Sequence, residues 1–431
     1  MKEIKTKSDI NYSLRMPGSK SVSHRALISA CLADGKSELT GLLDCEDTVF
    51  TTNGLRDLGF EIYWNDEKAE IYGRGNNFIR QKERKKIFLG NSGTSLRLLI
   101  STAALCRGEF LFSGTDRMHE RPIGGLISAL NGLGVDAGCI SGGDFPPVMI
   151  RGNGIKGGKV EIEGGKSSQY VSSILLAAPY AENDVEIEIS GKLVSKPYVD
   201  VTIKVMEEFG VRVEKNGYKS FRILKGQRYL PRQMEIEGDV STASYFWAAA
   251  AVTGGTVVTE NIYPFDTRQG DIKLLGIMSE MGAHVEMERD KVKVHGEKLK
   301  GVDVDMGDIP DMVPTVASLA VFAKGKTRIR NISQLHFKES DRIAAIAKEW
   351  NRIGFRVEEL QDGLIIHGGG RPVSAEVDSH NDHRLAMSLA VAGLMVPRTK
   401  IRGSECVEKS FPRFWEFWEA MQGSCKETTS T

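Results

Sequence analysis

The segment HFKESDR brings two cations and a carboxylate close together in the chain. Lys338 and Arg342 are four residues apart, and Glu339 lies three residues before Arg342. If one helix covers them, the two cations are neighbours on one face, which costs stability unless an anionic ligand binds there. Alternatively, Ser340 caps a helix that starts at Asp341, and the residues before it stay in a loop. On these residues alone, a solvated, charged helix start is the plainer interpretation.

Charged and hydroxyl side chains recur where apolar, Ala-rich helices are predicted to begin. The six starts read GSKSVSHR from Gly18, GNSGTSLR from Gly90, GGKSSQYV from Gly164, EGDVSTAS from Glu237, GDIPDMVP from Gly307 and SHNDHRLA from Ser379. Ser, Thr and Asp are ordinary N-caps, but these starts also carry Lys20, Arg25, Lys166 and Arg384. Because the free N–H groups and the dipole of a helix start favour negative charge, they predict anion sites.

A second family of helices interleaves with the first and begins similarly. Its starts are Arg121–Pro122, Ser195–Tyr198, Asp266–Arg268, Lys338–Arg342 and Lys409–Pro412. If two domains face each other with these starts inward, the cleft between them is strongly positive. Small, multiply anionic substrates follow from that arrangement.

A repeat of about seventy residues positions these helix starts. Five segments read as a helix that ends in glycine and is followed by a strand, with the glycines at Gly59, Gly134, Gly210, Gly282 and Gly354. Gly423 ends a sixth helix whose strand is missing. The interleaved apolar helices are too apolar for a surface, so we expect them in the interior. Six units divide as three plus three near Glu235–Asp239, which predicts an α+β fold of two domains.

Composition excludes several classes of protein. The chain has 431 residues, with 57 Lys and Arg against 57 Asp and Glu, so nothing favours a nucleic-acid or membrane partner. There is no apolar run long enough to span a bilayer, and because the first residues lack the pattern of a signal or transit peptide we expect neither. Six scattered cysteines predict reduced thiols and a cytoplasmic protein. The spacings of a P-loop, a dinucleotide site, a GxSxG serine and a metal site are absent, so we expect no metal.

From Pro17 to Pro412 the motifs resemble one family, the EPSP synthases (3-phosphoshikimate 1-carboxyvinyltransferases) of the enolpyruvyl transferases. The resemblance rests on PGSKSVSHRALISACLA, GNSGTSLRLL, RPIGGLISAL, GKSSQYVSSILLAAP, SKPYVDVT, DIPDMVPTVASLA, KESDRIAAIAKEW, NDHRLAM and KSFPRFW. It implies a two-domain, inside-out α/β barrel-like fold with three βαβαββ-type units per domain. The expected domains are 1–19 plus 238–431, where the N-terminal strand joins repeats 4–6, and 20–237. The resemblance places the active site in the interdomain cleft.

The resemblance also implies the reaction. Phosphoenolpyruvate and shikimate 3-phosphate would give 5-enolpyruvylshikimate 3-phosphate and phosphate, with no metal or organic cofactor. This step belongs to the shikimate pathway to chorismate and the aromatic amino acids. We expect a cytoplasmic monomer whose partners are its two small anionic substrates.

The family's functional positions carry over residue by residue. The shikimate 3-phosphate site would comprise Lys20, Ser21, Arg25, Ser167, Ser168, Gln169, Ser195, Asp311, Gln334 and Lys338. The phosphoenolpyruvate site would comprise Lys20, Gly93, Arg121, Gln169, Arg342, Arg384 and Lys409. The expected catalytic residues are Asp311, Glu339 and Lys20.

The chemistry fits these residue types. One group must take the hydroxyl proton and another must deliver a proton to the methylene carbon, and Asp311 and Glu339 are the candidates for these transfers. Lys338 and Arg342 should depress the pKa of Glu339 in the empty site, whereas a proton donor needs the opposite. We expect the bound anions to offset these cations, so that Glu339 becomes a useful acid only in the complex. A Glu339→Gln enzyme that keeps the wild-type acid limb of the pH profile would contradict this hypothesis.

Some positions depart from the usual family pattern. Gln334 stands where many members carry Asn, and the usual GNAGTAMRPL reads GNSGTSLRLL here, with differences that include Ser95 and Leu98. Gly93 is retained beside the phosphoenolpyruvate site, as in members that are sensitive to glyphosate.

Two alternative functions are considered. The sister transferase that acts on UDP-N-acetylglucosamine generally has a reactive Cys just before the Arg-Pro pair, whereas this chain reads GTDRMHERP. A non-catalytic anion-binding repeat protein is the alternative from another class, but the carboxylates and cations of the reaction are all present.

Overall fold

Residues 1–65 and 68–423 are described in the computed structural model of the protein. They form two compact units. The first unit is Gly18–Ile236, and the second unit joins Met1–Pro17 to the chain from Glu237 onward. The domain boundaries expected from the sequence, 19/20 and 237/238, stay a prediction.

The first unit contains repeats 1–3. The chain begins with β1 (Lys2–Glu3) and β2 (Asn11–Arg15), which belong to the second unit. Repeat 1 has α1 (Lys20–Leu32), β3 (Asp34–Thr40), α2 (Glu46–Asp57), β4 (Glu61–Trp64) and β5 (Lys68–Arg74). Repeat 2 has β6 (Lys85–Phe88), α3 (Gly93–Leu105), β7 (Gly108–Ser113), α4 (Gly124–Gly132), β8 (Asp136–Cys139) and β9 (Val148–Gly152). Repeat 3 has β10 (Gly158–Glu163), α5 (Ser168–Ala177), β11 (Val185–Ser190), α6 (Pro197–Glu208), β12 (Glu214–Asn216) and β13 (Ser220–Ile223), and β14 (Gln233–Glu235) follows.

The second unit contains repeats 4–6. Repeat 4 has α7 (Val240–Thr253), β15 (Thr256–Glu260), α8 (Leu274–Met281), β16 (His284–Met287) and β17 (Lys291–His295). Repeat 5 has β18 (Asp303–Asp305), α9 (Val313–Ala320), β19 (Lys326–Arg330), α10 (Arg342–Arg352), β20 (Arg356–Leu360) and β21 (Gly363–His367). Repeat 6 has β22 (Glu376–Asp378), α11 (His383–Met395), β23 (Lys400–Arg402) and α12 (Phe414–Gly423).

Each complete repeat follows the order β-α-β-α-β-β. In repeat 2, β6 pairs parallel with β7, and β7 and β8 both pair antiparallel with β9. A parallel pair needs a crossover, which α3 supplies, whereas an antiparallel pair can follow a short turn. The predicted α+β class and its six units are confirmed.

Two strands complete sheets far from them in sequence. The N-terminal β2 pairs parallel with β15 and provides the first strand of repeat 4. In the same way, β14 pairs parallel with β3 and completes repeat 1. The sheet of repeat 6 has three strands, because the described chain gives it no closing hairpin and β1 pairs antiparallel with β23 instead.

The apolar helices form the core of each unit, as predicted. Thirteen of the fourteen residues of α7 are buried, and α7, α9 and α11 pack against one another. The corresponding helices α1, α3 and α5 do so in the first unit. The five repeat glycines all have positive φ, between 83° and 111°, which a residue with a side chain rarely adopts. The repeat signature is therefore a set of left-handed helix ends.

Candidate active site

Arg342 is the centre of a charged cluster in the second unit. We call Asp311, Glu339, Arg342, Asp382 and Arg384 the carboxylate–arginine cluster. Arg342 is only 1% exposed and donates from Nε to Asp382 Oδ2 at 2.7 Å, from Nη1 to an Asp311 oxygen at 2.8 Å and from Nη2 to a Glu339 oxygen at 2.7 Å. Burial alone would lower the pKa of Arg342, but the three carboxylates outweigh it and raise the pKa well above its ordinary value.

The start of α10 differs from both alternatives considered from the sequence. Asp341, not Ser340, is the N-cap, because its carboxylate accepts a hydrogen bond from the N–H of Ala344 at 3.2 Å. The helix therefore begins at Arg342, and Lys338 is not on its face. The Ser340 hydroxyl donates instead to Asp382 Oδ2 at 3.1 Å.

The start of α11 supplies the other side of the cluster. Asp382 is fully buried, caps α11 by accepting from the N–H of Arg384 at 3.0 Å, and binds Arg342. Arg384 donates from Nη2 to Asp311 Oδ2 at 2.9 Å, and Lys338 Nζ lies 3.7 Å from the other Asp311 oxygen. Burial would raise the pKa of Asp311, but Arg384, Lys338 and Arg342 outweigh it and hold the pKa well below its usual range. Asp311 is therefore an ionised carboxylate.

A second buried carboxylate lies next to this cluster. Asp271, 3% exposed, accepts a hydrogen bond from the hydroxyl of Ser241 at the start of α7. The short 3-10 helices Gly270–Lys273 and Pro310–Met312, which carry Asp271 and Asp311, both pack against α7. Burial, followed by the negative charge of Asp311, raises the pKa of Asp271 to about 6. Its charge therefore changes close to neutral pH.

The remaining expected residues of the second unit occupy buried positions. Gln334 is 7% exposed and donates to the carbonyl of Gly307, in the loop that leads to Asp311, at 3.4 Å. Lys409 is 5% exposed and ends the 3-10 helix Ser404–Lys409.

In the first unit, Arg25 is a buried cation with neutral partners. It is 1% exposed, and its hydrogen bonds go to Thr202 Oγ1 at 2.7 Å and to the carbonyls of Ser21 and Tyr198 at 2.8 and 3.2 Å. Burial lowers its pKa to about 10, so it is still charged at neutral pH. A buried positive charge held only by dipoles favours a bound anion.

Arg121 lies directly against Gly93. The side chain is 4% exposed and donates from Nη1 to the carbonyl of Asn91 at 3.0 Å. A Cβ atom added to Gly93 would lie 2.6 Å from both Cζ and Nη2 of Arg121, well inside van der Waals contact. The absence of a side chain at position 93 therefore leaves the room that this guanidinium occupies.

Gln169 links two helix starts. Its Oε1 accepts from Arg97 Nη1 at 2.7 Å, and its Nε2 donates to Thr94 Oγ1 at 2.9 Å. Ser167 is the N-cap of α5 and accepts from the Gln169 N–H at 3.3 Å, while Ser168, 3% exposed, begins the helix. The predicted SSQ motif is thus one capped helix start.

Lys20 is the first residue of α1, and Ser195 lies two residues before α6. Lys20 Nζ lies 2.9 Å from Asp47 Oδ2, which is at the start of α2, and Ser21 follows Lys20 in α1. Ser195 is 7% exposed with φ of 52°, and its carbonyl accepts from the Tyr198 N–H at 3.2 Å. Most of the residues expected in this unit therefore lie at or next to helix starts, whereas Arg25 lies in the second turn of α1 and Arg121 follows the 3-10 helix Asp116–Glu120.

Comparison with known proteins decides the family. A family model described as EPSP synthase (3-phosphoshikimate 1-carboxyvinyltransferase) matches residues 4–418. The chain belongs to the EPSP synthase family. A 3-phosphoshikimate 1-carboxyvinyltransferase of Syntrophobacter fumaroxidans is 42% identical over 423 residues, which cover 98% of this chain and 99% of that one. One from Shewanella piezotolerans is 41% identical over 415 residues, covering 96% and 97%.

A solved structure extends the likeness to the fold. An EPSP synthase from Acinetobacter baumannii superposes with a TM-score of 0.80 at 29% identity and covers 97% of each chain. The family and fold expected from the motifs are therefore confirmed.

Several polar residues of this EPSP synthase family member were not singled out as site residues by the sequence. They are Asp47, Thr94, Arg97, Asp271 and Asp382. Asp47 forms an ion pair with Lys20, and Asp382 forms one with Arg342. The need of these two expected cations for a carboxylate partner was therefore the signal that could have indicated both residues. Arg97 stands inside the quoted GNSGTSLR motif. Asp271 had no comparable signal, because its burial depends on packing against α7.

Other expectations concern metals, membranes and thiols. Within residues 1–65 and 68–423, no three His, Cys, Asp or Glu side chains group as metal ligands. No helix in that part of the chain combines the length and apolar character needed to cross a bilayer. Cys31, Cys45, Cys106, Cys139 and Cys406 are free thiols, and Cys425 lies outside the described residues.

Proposed function

We propose that this chain transfers the enolpyruvyl group of phosphoenolpyruvate to the 5-hydroxyl of shikimate 3-phosphate. The products are 5-enolpyruvylshikimate 3-phosphate and phosphate, in the shikimate pathway of aromatic amino-acid biosynthesis. The observation that carries the proposal is membership of the EPSP synthase family over residues 4–418, a range that includes every residue proposed for the site.

The shikimate 3-phosphate site is proposed at helix starts of both units. Arg25 supports the phosphate role best, because it is a buried cation with neutral partners. Hydroxyl and amide groups would hold the ring and its phosphate by hydrogen bonds. The proposed set is Lys20, Ser21, Arg25, Ser167, Ser168, Gln169, Ser195, Asp311, Gln334 and Lys338.

Phosphoenolpyruvate carries a carboxylate and a phosphate, which suit guanidinium groups. Arginine binds such groups with two parallel hydrogen bonds. Arg342 and Arg384 are held in place by carboxylates, and Arg121 is held by the backbone of Asn91. The proposed set is Lys20, Gly93, Arg121, Gln169, Arg342, Arg384 and Lys409.

The reaction proceeds by addition and elimination. The 5-oxygen forms a bond to the carbon that bears the phosphate ester, while the methylene carbon gains a proton and becomes a methyl group. The bond between the ester-bearing carbon and the phosphate oxygen then breaks and releases phosphate. The methyl group loses a proton, and the methylene group forms again. Cations around the carboxylate and phosphate stabilise the charge that redistributes in both steps.

Two carboxylates are assigned to the proton transfers. Asp311 is held ionised by Arg384, Lys338 and Arg342, so it carries no proton of its own and is the carboxylate assigned to accept the hydroxyl proton. Glu339 is then left to deliver the proton to the methylene carbon and to remove one during elimination. Lys20, which forms an ion pair with Asp47, is the cation proposed to act with Asp311 and Glu339.

A phosphate-release assay tests the function. Phosphoenolpyruvate with shikimate 3-phosphate should release phosphate, and phosphoenolpyruvate with UDP-N-acetylglucosamine should not. Normal binding of both substrates without phosphate release would support the non-catalytic alternative instead. We propose that activity persists after treatment with a chelator and that the enzyme is a cytoplasmic monomer, which sedimentation and fractionation can check.

A further inference from the structure

We propose that His336 is a positioning residue whose charged imidazolium ties the loop carrying Lys338 and Glu339 to the start of α10. The proposal rests on the proposed function, because that loop and Arg342 belong to the proposed site. His336 itself touches none of the assigned substrate-binding residues in the hydrogen bonds described below.

Both ring nitrogens of His336 face acceptors. Nδ1 lies 2.8 Å from Asp341 Oδ2, and Nε2 lies 3.2 Å from the carbonyl oxygen of Gln361. A carboxylate and a carbonyl oxygen only accept hydrogen bonds, so both ring nitrogens must donate. Neutral imidazole has one N–H group, whereas imidazolium has two. The geometry therefore fits the charged form.

The surrounding charges favour the same form. Burial opposes the charge on His336, but hydrogen bonds to Asp341 and Gln361 and the negative charges of Asp341 and Glu359 raise its pKa above the ordinary value. The side chain is 28% exposed, so protons exchange with solvent readily. We call the two hydrogen bonds of charged His336, to Asp341 and to Gln361, the clamp. Because the pKa of His336 is raised, the clamp is complete below the ordinary histidine pKa and is lost as the pH rises through the folded-state pKa.

The clamp reaches the reacting groups through one residue. Asp341 uses Oδ2 for His336 and Oδ1 for the Ala344 N–H, which it caps. Arg342 follows directly, and Lys338 and Glu339 lie in the short segment closed by the His336–Asp341 bond. Loss of the proton on His336 therefore loosens the segment that holds three of the charged groups of the site.

Kinetics and titration of three variants test this role. His336→Arg keeps a donor and a positive charge at all working pH values, and His336→Gln removes the charge at all of them. Asp341→Asn keeps an oxygen for the helix cap but removes the carboxylate that faces His336. The KM for phosphoenolpyruvate and kcat are measured from pH 6 to 9, and the His336 pKa is measured by NMR on the same proteins.

The expected result is a KM that rises roughly tenfold as the pH passes the NMR pKa of His336, the change that loss of one charge-assisted hydrogen bond gives. The rise moves to lower pH in Asp341→Asn, is absent in His336→Arg, and is replaced by a high KM throughout in His336→Gln. Titrations of other groups that occur in every variant cancel when the KM of each variant is divided by the wild-type KM at the same pH. Superimposable profiles of wild type, Asp341→Asn and His336→Arg would overturn the proposal.

A readout that does not need turnover separates the two proposals. Hydrogen-exchange protection of the Ala344 amide should fall above the His336 pKa in wild type but not in His336→Arg. If wild type releases no phosphate at any pH, the proposed function fails, and this protection still decides whether the clamp exists. Equal protection in the two proteins at every pH would reject the clamp, whatever the activity.

Discussion

Arg25 and Arg342 are both buried arginines, but their surroundings make opposite predictions. Arg25 bonds to neutral oxygen atoms, whereas Arg342 binds three carboxylates, one of them fully buried. Removing Arg342 leaves Asp382 buried without its main cation, so Arg342→Met should destabilise the protein by about 3 to 5 kcal/mol. Arg25→Met removes an uncompensated charge and should cost much less stability, while the KM for shikimate 3-phosphate rises at least tenfold.

Urea unfolding with and without shikimate 3-phosphate measures both effects. At the same concentration the substrate should stabilise Arg25→Met less than wild type, since a ligand that binds only the folded state raises stability according to its affinity. Equal destabilisation by the two substitutions would contradict the view that Arg25 lacks a compensating charge.

Gly93 controls the position of Arg121. Because an added Cβ would lie 2.6 Å from the guanidinium, Gly93→Ala must displace Arg121. We expect the KM for phosphoenolpyruvate to rise about tenfold, since a misplaced guanidinium loses charge-assisted hydrogen bonds, with little change in the KM for shikimate 3-phosphate. Gly138→Ala in the same repeat is the control, because nothing lies within 4 Å of its Cβ position. Unchanged steady-state kinetics of Gly93→Ala would rule out this steric role.

Asp271 should make stability fall with increasing pH. Its pKa is about 6 in the folded protein, above the ordinary value, so the folded state holds the proton more tightly than the unfolded state. Its favourable contribution is full below pH 4 and is lost as the pH rises through 6. Asp271→Asn should therefore stabilise the protein by up to roughly 3 kcal/mol at pH 8 and by almost nothing at pH 4. Urea unfolding at the two pH values checks this, and an equal effect at both would contradict the assignment.

At the scale of elements, the strand β1 closes the incomplete sheet of repeat 6. Ile4 follows this strand, is 2% exposed, and donates its N–H to the carbonyl of Thr399 at 2.9 Å. A Cβ on Gly393 would lie 2.6 Å from the Ile4 Cβ, so α11 and Ile4 are in close contact. Ile4→Ala should destabilise the second unit by about 2 to 5 kcal/mol through the cavity it leaves.

Tryptophan fluorescence can follow this loss in urea. Trp247, Trp350, Trp415 and Trp418 belong to the second unit and Trp64 to the first, so the signal reports mainly the second unit. Ile87→Ala in β6, where Ile87 is 1% exposed, is the matched control in the first unit. Were both substitutions to shift the fluorescence transition equally, the assignment of Ile4 to the second unit alone would be wrong.

Elements set by local sequence were predicted better than those set by packing. The glycines that end the helices were visible because positive φ strongly favours glycine, and the apolar helices because they lack a polar face. The cap of α10 is Asp341, whereas the sequence offered Ser340 as one of two alternatives, since both residues are good caps and only the bond to Ala344 distinguishes them. The burial of Asp271 arises from contacts between distant segments, which the sequence does not display.

In the whole molecule, the six repeats provide many helix starts, and each of the two units contains three repeats. Each unit places charged groups at or near such starts, including Lys20 in the first and Asp311 and Arg384 in the second. Because a helix start favours negative charge, repetition gives each unit several places where an anionic group can bind.

Turnover in D2O tests whether the protein transfers the enolpyruvyl group by addition and elimination. The enzyme is given phosphoenolpyruvate and shikimate 3-phosphate, and the product is examined by NMR. We expect one enolpyruvyl ether per phosphate released, with deuterium in its methylene group, because the methyl group of the intermediate rotates before it loses a proton. Phosphate released without the ether, or an ether that contains no deuterium, would contradict transfer by addition and elimination.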